Sequence, residues 1–486
     1  MKYKYLFLLS VIYFFNIQAL TAQNWTQVSN TLYGSTSGDC FGRAVSISQD
    51  GTILAVSSPQ NDINGQNSGK VSVYKLVNNQ WIQLGNDLNG GSDYNYYGSS
   101  IKLSNDGLNL IIGSSTDHDP SGNWFGSISV FNWNGNDWIQ KGNKIYGQSY
   151  GGYFGHSVGI NQDGSIILVS SYNENKVRAF EWNENLLLYE QKGNTIPQGG
   201  NIDFSSDGTT FIIGSPFENN GIGKVGVYYW SGGNWIQKGA VFNGINNDQL
   251  GRNVSINSNG NVILIGEPNN DNNGNNTGEI KIYQWNGISW DQKGQTFNGI
   301  IPTNTDCCLS NFASSIDSSG NTFAYWSVLS DNPQQGVLKI FSWNTYQWSQ
   351  KGANIEGGLG DNIMVNFISL SSEGNTISIG FPYDFYFGDG NDSGRVKTYR
   401  WSENLSSDNS YLNYVLNFYP NPVKEFLHLK TEHNIFKIEI YDIAGRILSS
   451  NSLSDNKIDL SVLKTGNYIL NIYTEKGIMK TKIVKE

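Results

Sequence analysis

Three cysteines, four histidines and ten prolines are few for a chain of 486 residues. Cys40, Cys307 and Cys308 are odd in number, which excludes a complete disulfide framework. A Cys40 bridge to one of the vicinal pair is the single alternative to three unpaired thiols. Of the four histidines only His118 and His156 precede residue 400. No Cys-x-x-Cys or His-Glu-x-x-His spacing occurs, so the common metal-site motifs are missing. No Gly-x-Ser-x-Gly stretch stands on a strand-to-helix turn, where a hydrolase nucleophile would sit. Charge is also scarce: Asp, Glu, Lys and Arg make 15% of the residues, against the usual quarter. From Tyr411 to the end there are ten Lys/Arg and eight Asp/Glu, a net of +2, so the net of −10 leaves −12 for the rest. An acidic main part excludes nucleic acid as partner, because phosphate neutralisation needs a basic surface. Long apolar runs are limited to Leu6–Phe15, too short for a membrane span, and no second one follows, so no transmembrane segment is expected.

What is present is glycine (56 residues), amide side chains and 13% aromatics. That is far too aromatic for disorder and suits an all-β chain with many turns. Lys2 and Lys4, the apolar stretch and Ala19-Leu20-Thr21-Ala22-Gln23 read as a secretory signal peptide over 1–22, cleaved after Ala22. Gln23, not Cys, stands directly after that point, so a lipid anchor is not expected.

A repeat organises the next 380 residues. Trp-x-Gln-x-Gly segments begin at Trp81, Trp138, Trp235, Trp290 and Trp348; Tyr189 starts a variant and Trp25-Thr26-Gln27 a shortened copy. The seven copies are spaced by 46 to 58 residues. Between copies lie an alternating apolar stretch, a tight turn such as Asp50-Gly51 or Asp106-Gly107, a second apolar run such as Ile53–Val56, and a Val-x-Val-Tyr-x-Trp-like stretch. Period-two alternation of β-branched residues marks strands, and Asp-Gly or Asn-Gly suits the positive φ of hairpin turns. Four short strands per unit of this length predict propeller blades. The expectation is therefore an all-β protein: a seven-bladed β-propeller over 23–402, in which the strand at 24–29 closes the last blade and removes an exposed edge. A linker (403–414) and a small C-terminal β-sandwich (415–486) follow.

The blades resemble the FG-GAP repeats of integrin-α-type propellers, through Phe41-Gly42, Tyr97-Gly98, Phe154-Gly155, Leu250-Gly251, the Asp-Gly turns and Gly214-Ser215-Pro216 or Gly266-Glu267-Pro268. Calcium-binding copies in that family carry several acids at the turn. Here each turn has at most one, too few for an ion that takes six to eight oxygens, so no cofactor is expected. The remaining cation candidate is Asp389, Asn391 and Asp392 in the run from Asp389 to Gly394. The tail is similar to the C-terminal sorting domain of the type IX (Por) secretion system of Bacteroidetes, through Tyr419-Pro420-Asn421-Pro422, Ile440-Tyr441-Asp442 with Gly445, Gly466-Asn467-Tyr468 and the Lys-rich last strand. This resemblance implies Sec export, passage through the type IX machinery as partner, and residence outside the cell or on the outer-membrane surface.

Tight turns crowd one propeller face, so the longer loops of the opposite face are the expected binding surface. Their rings are Tyr94, Tyr96, Tyr97, Trp124, Phe125, Tyr153, Tyr172, Tyr383 and Tyr386, with amides and acids beside them. Rings with nearby hydrogen-bonding groups suit a glycan or an extended peptide; packing against neighbouring loops is the other reading. The functional expectation is a surface binding or adhesion protein, not an enzyme. A polysaccharide hydrolase, with Asp117 and Asp119 as the local acid pair, and a structural matrix component are the alternatives.

Overall fold

The computed structural model describes residues 24–272, 277–299, 313–328, 336–357, 367–382, 393–402, 417–430, 435–442, 447–451, 457–474 and 477–486. The signal-peptide expectation, Cys307, Cys308, Tyr383, Tyr386, Asp389, Asn391, Asp392 and Gly445 lie outside these residues. The chain divides into two compact units, one of them Gln23–Ser402.

Within that unit the described strands form seven antiparallel sheets. The first is typical: Val45–Ile47, Ile53–Ser58, Lys70–Val77 and Gln80–Gln83 pair in sequence order. After Gln83 the chain kinks at Gly85 (φ +77°) and resumes against the same third strand as Leu88–Asn89. This short fifth segment recurs in all but the third repeat, where a single bridge between Val177 and Ile196 replaces it. The sequence reading had four strands per repeat and missed it. The last sheet is composite: Phe367–Leu370, Thr376–Phe381 and Arg395–Ser402 are completed by Asn24–Gln27, with Trp25 opposite Trp401. The inner strand of each sheet packs against that of the next, and the seventh returns to the first, Val45–Ile47. The fold is a β-propeller.

The core lies between neighbouring sheets. Leu264, Ile280 and Ile282 of the fifth repeat meet Ile316, Phe323 and Trp348 of the sixth. The Trp-x-Gln-Lys-Gly motif locks the outside of several such seams. Trp290 Nε1 donates to the carbonyl of Lys238 in the preceding repeat at 2.9 Å, Trp348 to Lys293 at 2.7 Å, and Trp25 to Lys351 at 2.8 Å. The same lysines reach forward: Lys238, Lys293 and Lys351 each donate to the turn-glycine carbonyl of the next repeat (Gly260, Gly320, Gly374) and to the Asn after it. Each ammonium also lies 5.2–5.5 Å from two tryptophan rings, a further attraction in a desolvated place. Burial lowers the Lys293 pKa to about 8. The glutamine amide folds back onto the carbonyl two residues on, as in Gln292 to Gly294. The glycine must be glycine: at Gly352 φ is +81° and an added Cβ would sit 2.6 Å from the Trp401 ring. The motif that reveals the repeat is therefore a structural clasp.

The C-terminal unit is a sandwich of a three-stranded sheet (Asn417–Tyr419, Phe426–Lys430, Lys457–Asp459) and a four-stranded one (Ile435–Asp442, Ile447–Asn451, Gly466–Thr474, Gly477–Lys485). Val423, Leu427, Ile438, Leu470 and Ile483 fill the space between them. The Tyr419–Pro420 and Asn421–Pro422 peptides are cis. Asn421 Oδ1 accepts the Val484 amide at 2.8 Å, and Val423 donates to the Val484 carbonyl at 2.7 Å. The Pro-Asn-Pro segment is thus tied to the terminal strand. Tyr468 is buried and donates its hydroxyl to Lys464 O.

Candidate functional site at the channel mouth

Seven inner strands standing round an axis have no partner on their channel side, so their outer N–H groups need other acceptors. Side chains in the middle of the preceding inner strand supply them. Ser46 Oγ accepts Leu103 N, Asp203 Oδ2 accepts Ile256 N, Ser315 Oγ accepts Leu370 N and Ser369 Oγ accepts Ile47 N, at 2.9–3.3 Å. Lys102 and Gly159 hold the equivalent positions of the second and third repeats. With no side chain at Gly159, the Lys102 ammonium passes the third repeat and pairs with Asp203 of the fourth at 3.0 Å. Below this level the turns bond to one another: Gln49 N to Asn105 O, Gln162 N to Ser206 O, Ser318 N to Ser372 O and Ser372 N to Gln49 O. The tight-turn end of the channel is therefore constricted.

Among the described residues the opposite end holds a cavity of about 370 Å³. Its rim is set by the Phe-Gly-like pairs. Gly42, Gly98, Gly155 and Gly251 all have φ between +85° and +90°, and at Gly42 an added Cβ would press on Arg395 O at 2.8 Å. The positive φ turns the next side chain toward the axis. Those side chains are Arg43, Ser99, His156 and Arg252, and Asn201, Ala313 and Phe367 join them round the cavity. The Arg43 guanidinium lies 5.2 Å from the Phe367 ring and that of Arg252 5.5 Å from Phe217. His156 packs on Tyr172 at 4.8 Å, and Tyr172 meets Phe217 edge-on at 6.3 Å. Crowding by protein brings the His156 pKa down to about 4; the charges of Arg252 and Arg43 add to this, and a hydrogen bond with Asn201 opposes it. His156 is thus a neutral imidazole at ordinary pH. Burial also lowers Arg252, with Arg43 contributing. A smaller pocket of about 280 Å³ adjoins the rim, between the loops of the first two repeats, lined by Cys40, Gln60, Tyr96 and Thr116 and sharing Arg43, Ser99 and Ser115 with the channel.

Of the rings singled out in the sequence, two border these cavities: Tyr172 beside His156, and Tyr96 in the side pocket. Trp124 and Tyr153 pack together at 6.1 Å, with Tyr150 and His118 also against Trp124, and Phe125 is half-buried beside them. Tyr94 is exposed and its hydroxyl meets the Gln66 amide. Tyr97 is a core residue packed with Val71 and Ile101, and burial raises its pKa. Asp117 is buried and takes bonds from Asn95, Ser127 and Lys144, while Asp119 caps its own loop through Ser121 N and Asn123 N. Cys40 is buried and its thiol donates to Gln60 at 3.0 Å. Among the described residues no group of three His, Cys, Asp or Glu is placed to hold a metal ion, and no helix is long and apolar enough to cross a membrane.

The sequence reading missed Arg43, His156 and Arg252. The signal was the position after each Phe-Gly-like pair, which the pairs themselves pointed to.

None of the curated proteins compared matches the chain. Solved structures match at the level of the fold: the β-propeller domain of Myceliophteria thermophila Cps50 (Swd1), at 11% identity and a TM-score of 0.49 over 77% of this chain and 99% of that one; and the Pseudomonas aeruginosa periplasmic gluconolactonase PpgL, at 15% identity and 0.45 over 65% and 85%. Residues 25–74 match the FG-GAP repeat, and residues 417–486 match the secretion system C-terminal sorting domain, which marks the chain for export to the cell surface or beyond by the type IX route.

Proposed function

We propose that the exported propeller is a binding module whose ligand enters the open mouth of the central channel, with adhesion at the cell surface as its use. The observation that carries this reading is the rim itself. Four repeats place two arginines, a serine and a histidine (Arg43, Arg252, Ser99, His156) at one structurally equivalent position, whereas the tight turns and the Trp-x-Gln-x-Gly segment recur in most repeats. Rigid scaffold with variable residues at one level is how repeat folds present a site. Rings beside the rim, Tyr172 and Phe217, offer apolar faces, and Asn201 and Ser99 offer hydrogen bonds, a mixture suited to a glycan. The test is a glycan and peptide array probed with the exported chain, with Tyr172→Ala and Asn201→Ala as controls. Binding that both substitutions weaken supports the reading; binding indifferent to both, or turnover of a polysaccharide, overturns it.

A further inference from the structure

We propose that the channel mouth takes the carboxylate of an acidic sugar between Arg43 and Arg252; this rests on the channel being the binding site, as proposed above. The first ground is charge. The main part of the chain carries −12 (−10 in total less +2 for the tail), yet its cavity rim gathers two guanidiniums. Among the described residues no carboxylate lies within ion-pair distance of Arg43, whose contact is the Phe367 ring. The one carboxylate lining the cavity, Asp203, sits lower and is engaged by Lys102, Ser255 Oγ and Ile256 N. Two like charges facing one cavity disfavour each other, and a bound anion offsets that repulsion. Guanidinium groups are also the side chains best matched to a carboxylate, through paired N–H donors.

The second ground is what surrounds the pair. His156, neutral through burial and the same two arginines, is a hydrogen-bonding group and not a third cation. Asn201, Asn253 and Ser314 line the same cavity and can meet sugar hydroxyls. Phe367 lines the same cavity and offers an apolar face against which sugar C–H groups can pack. The third ground is size. At about 370 Å³ the cavity is at the small end of small-molecule sites, which run from about 300 to 1,000 Å³. The turn ring and the Lys102–Asp203 pair constrict its far end. It therefore accepts a free sugar acid or the end of a glycan chain, not the middle of one.

The test is calorimetric titration of the exported chain at low ionic strength with D-glucuronate, D-glucose, inorganic phosphate and an oligosaccharide ending in glucuronate. Glucuronate is expected to bind at least about tenfold more tightly than glucose, a preference set by charge-assisted hydrogen bonds and reduced by added salt. Arg43→Gln and Arg252→Gln are expected to remove that preference, so that glucuronate binds no more tightly than glucose. Should Arg252→Gln not fold, Arg43→Lys serves instead: it keeps the charge, loses the paired donors and is expected to fall between parent and Arg43→Gln. The oligosaccharide arm separates a free acid from a chain end. Equal affinity for glucose and glucuronate, or tighter binding of phosphate, overturns the acidic sugar and leaves the channel as the site. No binding by any probe, with array ligands indifferent to Tyr172→Ala, overturns both.

Discussion

His156 gives the propeller a pH dependence of definite sign. Its pKa is lowered from 6.5 to about 4, so between these values the unfolded chain binds a proton that the folded one does not. Stability then falls as pH drops through that window and is unaffected above it. The groups facing His156 are Arg43, Arg252, Tyr172 and Asn201, and none of them titrates there. A His156→Gln variant keeps a hydrogen-bonding side chain without the proton equilibrium. Relative to that variant, the parent is expected to lose about 2–3 kcal/mol between pH 6.5 and 4, read from denaturant midpoints at each pH. Asp248 has the opposite sign. Burial first, then Glu267 and Asp271, raise its pKa to about 6, so its cost is present at neutral pH and relieved as pH falls. Asp248→Asn is expected to stabilise the protein at pH 7.5 and to be near neutral at pH 4. Equal midpoints for parent and variant at pH 7.5 would show that the neighbouring acids do not act on Asp248 as the geometry implies.

The clasp between repeats shows both what the sequence made legible and what it did not. Trp-x-Gln-x-Gly and the Asp-Gly turns recur because each does one mechanical job at most seams, and identical jobs leave identical residues. The strand order and the turn positions could be read from them. The rim could not, because its position holds Arg, Ser, His and Arg (Arg43, Ser99, His156, Arg252) and a search for repetition discards what varies. Tyr97 was misjudged for a related reason: beside Tyr94 and Tyr96 it reads as loop aromatic, yet it stands where Phe41 and Phe154 stand and is buried as they are. The short fifth segments were missed because two residues carry no period. The clasp itself is testable. Lys293→Met removes the two donors that satisfy Gly320 O and Asn321 Oδ1 and is expected to cost about 1–3 kcal/mol, the usual penalty for buried acceptors left unpaired. Trp348→Phe, which loses the bond to Lys293 O, is expected to fall in the same range. The two together should cost less than their sum, since both act on one seam; full additivity by thermal or denaturant melts would mean that they are independent.

Closure and export belong to the whole molecule. The last sheet owes its outer strand to Asn24–Gln27, so removing residues 24–29 leaves the Tyr399–Ser402 end of the Arg395–Ser402 strand as an unpaired edge and strips Trp25 from its place against Trp401 and Lys351. Loss of a buried tryptophan alone costs about 3–5 kcal/mol, and an open edge invites pairing between chains. The shortened protein is expected to melt earlier and to associate, as light scattering and gel filtration would report. The tail differs, because its core of Val423, Leu427, Ile438, Leu470 and Ile483 is its own. Deleting residues 417–486 is expected to leave the melting of the propeller unchanged and to abolish its appearance outside the cell. A finer cut separates sorting from mere presence of the domain. Removing residues 483–486 takes away Ile483, which is wholly buried, and the Val484 amide and carbonyl to which Asn421 and Val423 are tied. The Pro-Asn-Pro segment then loses these ties to the terminal strand, and export is expected to fail although most of the tail remains. Export that survives this four-residue cut would mean the machinery reads a short stretch of sequence and not the folded sandwich.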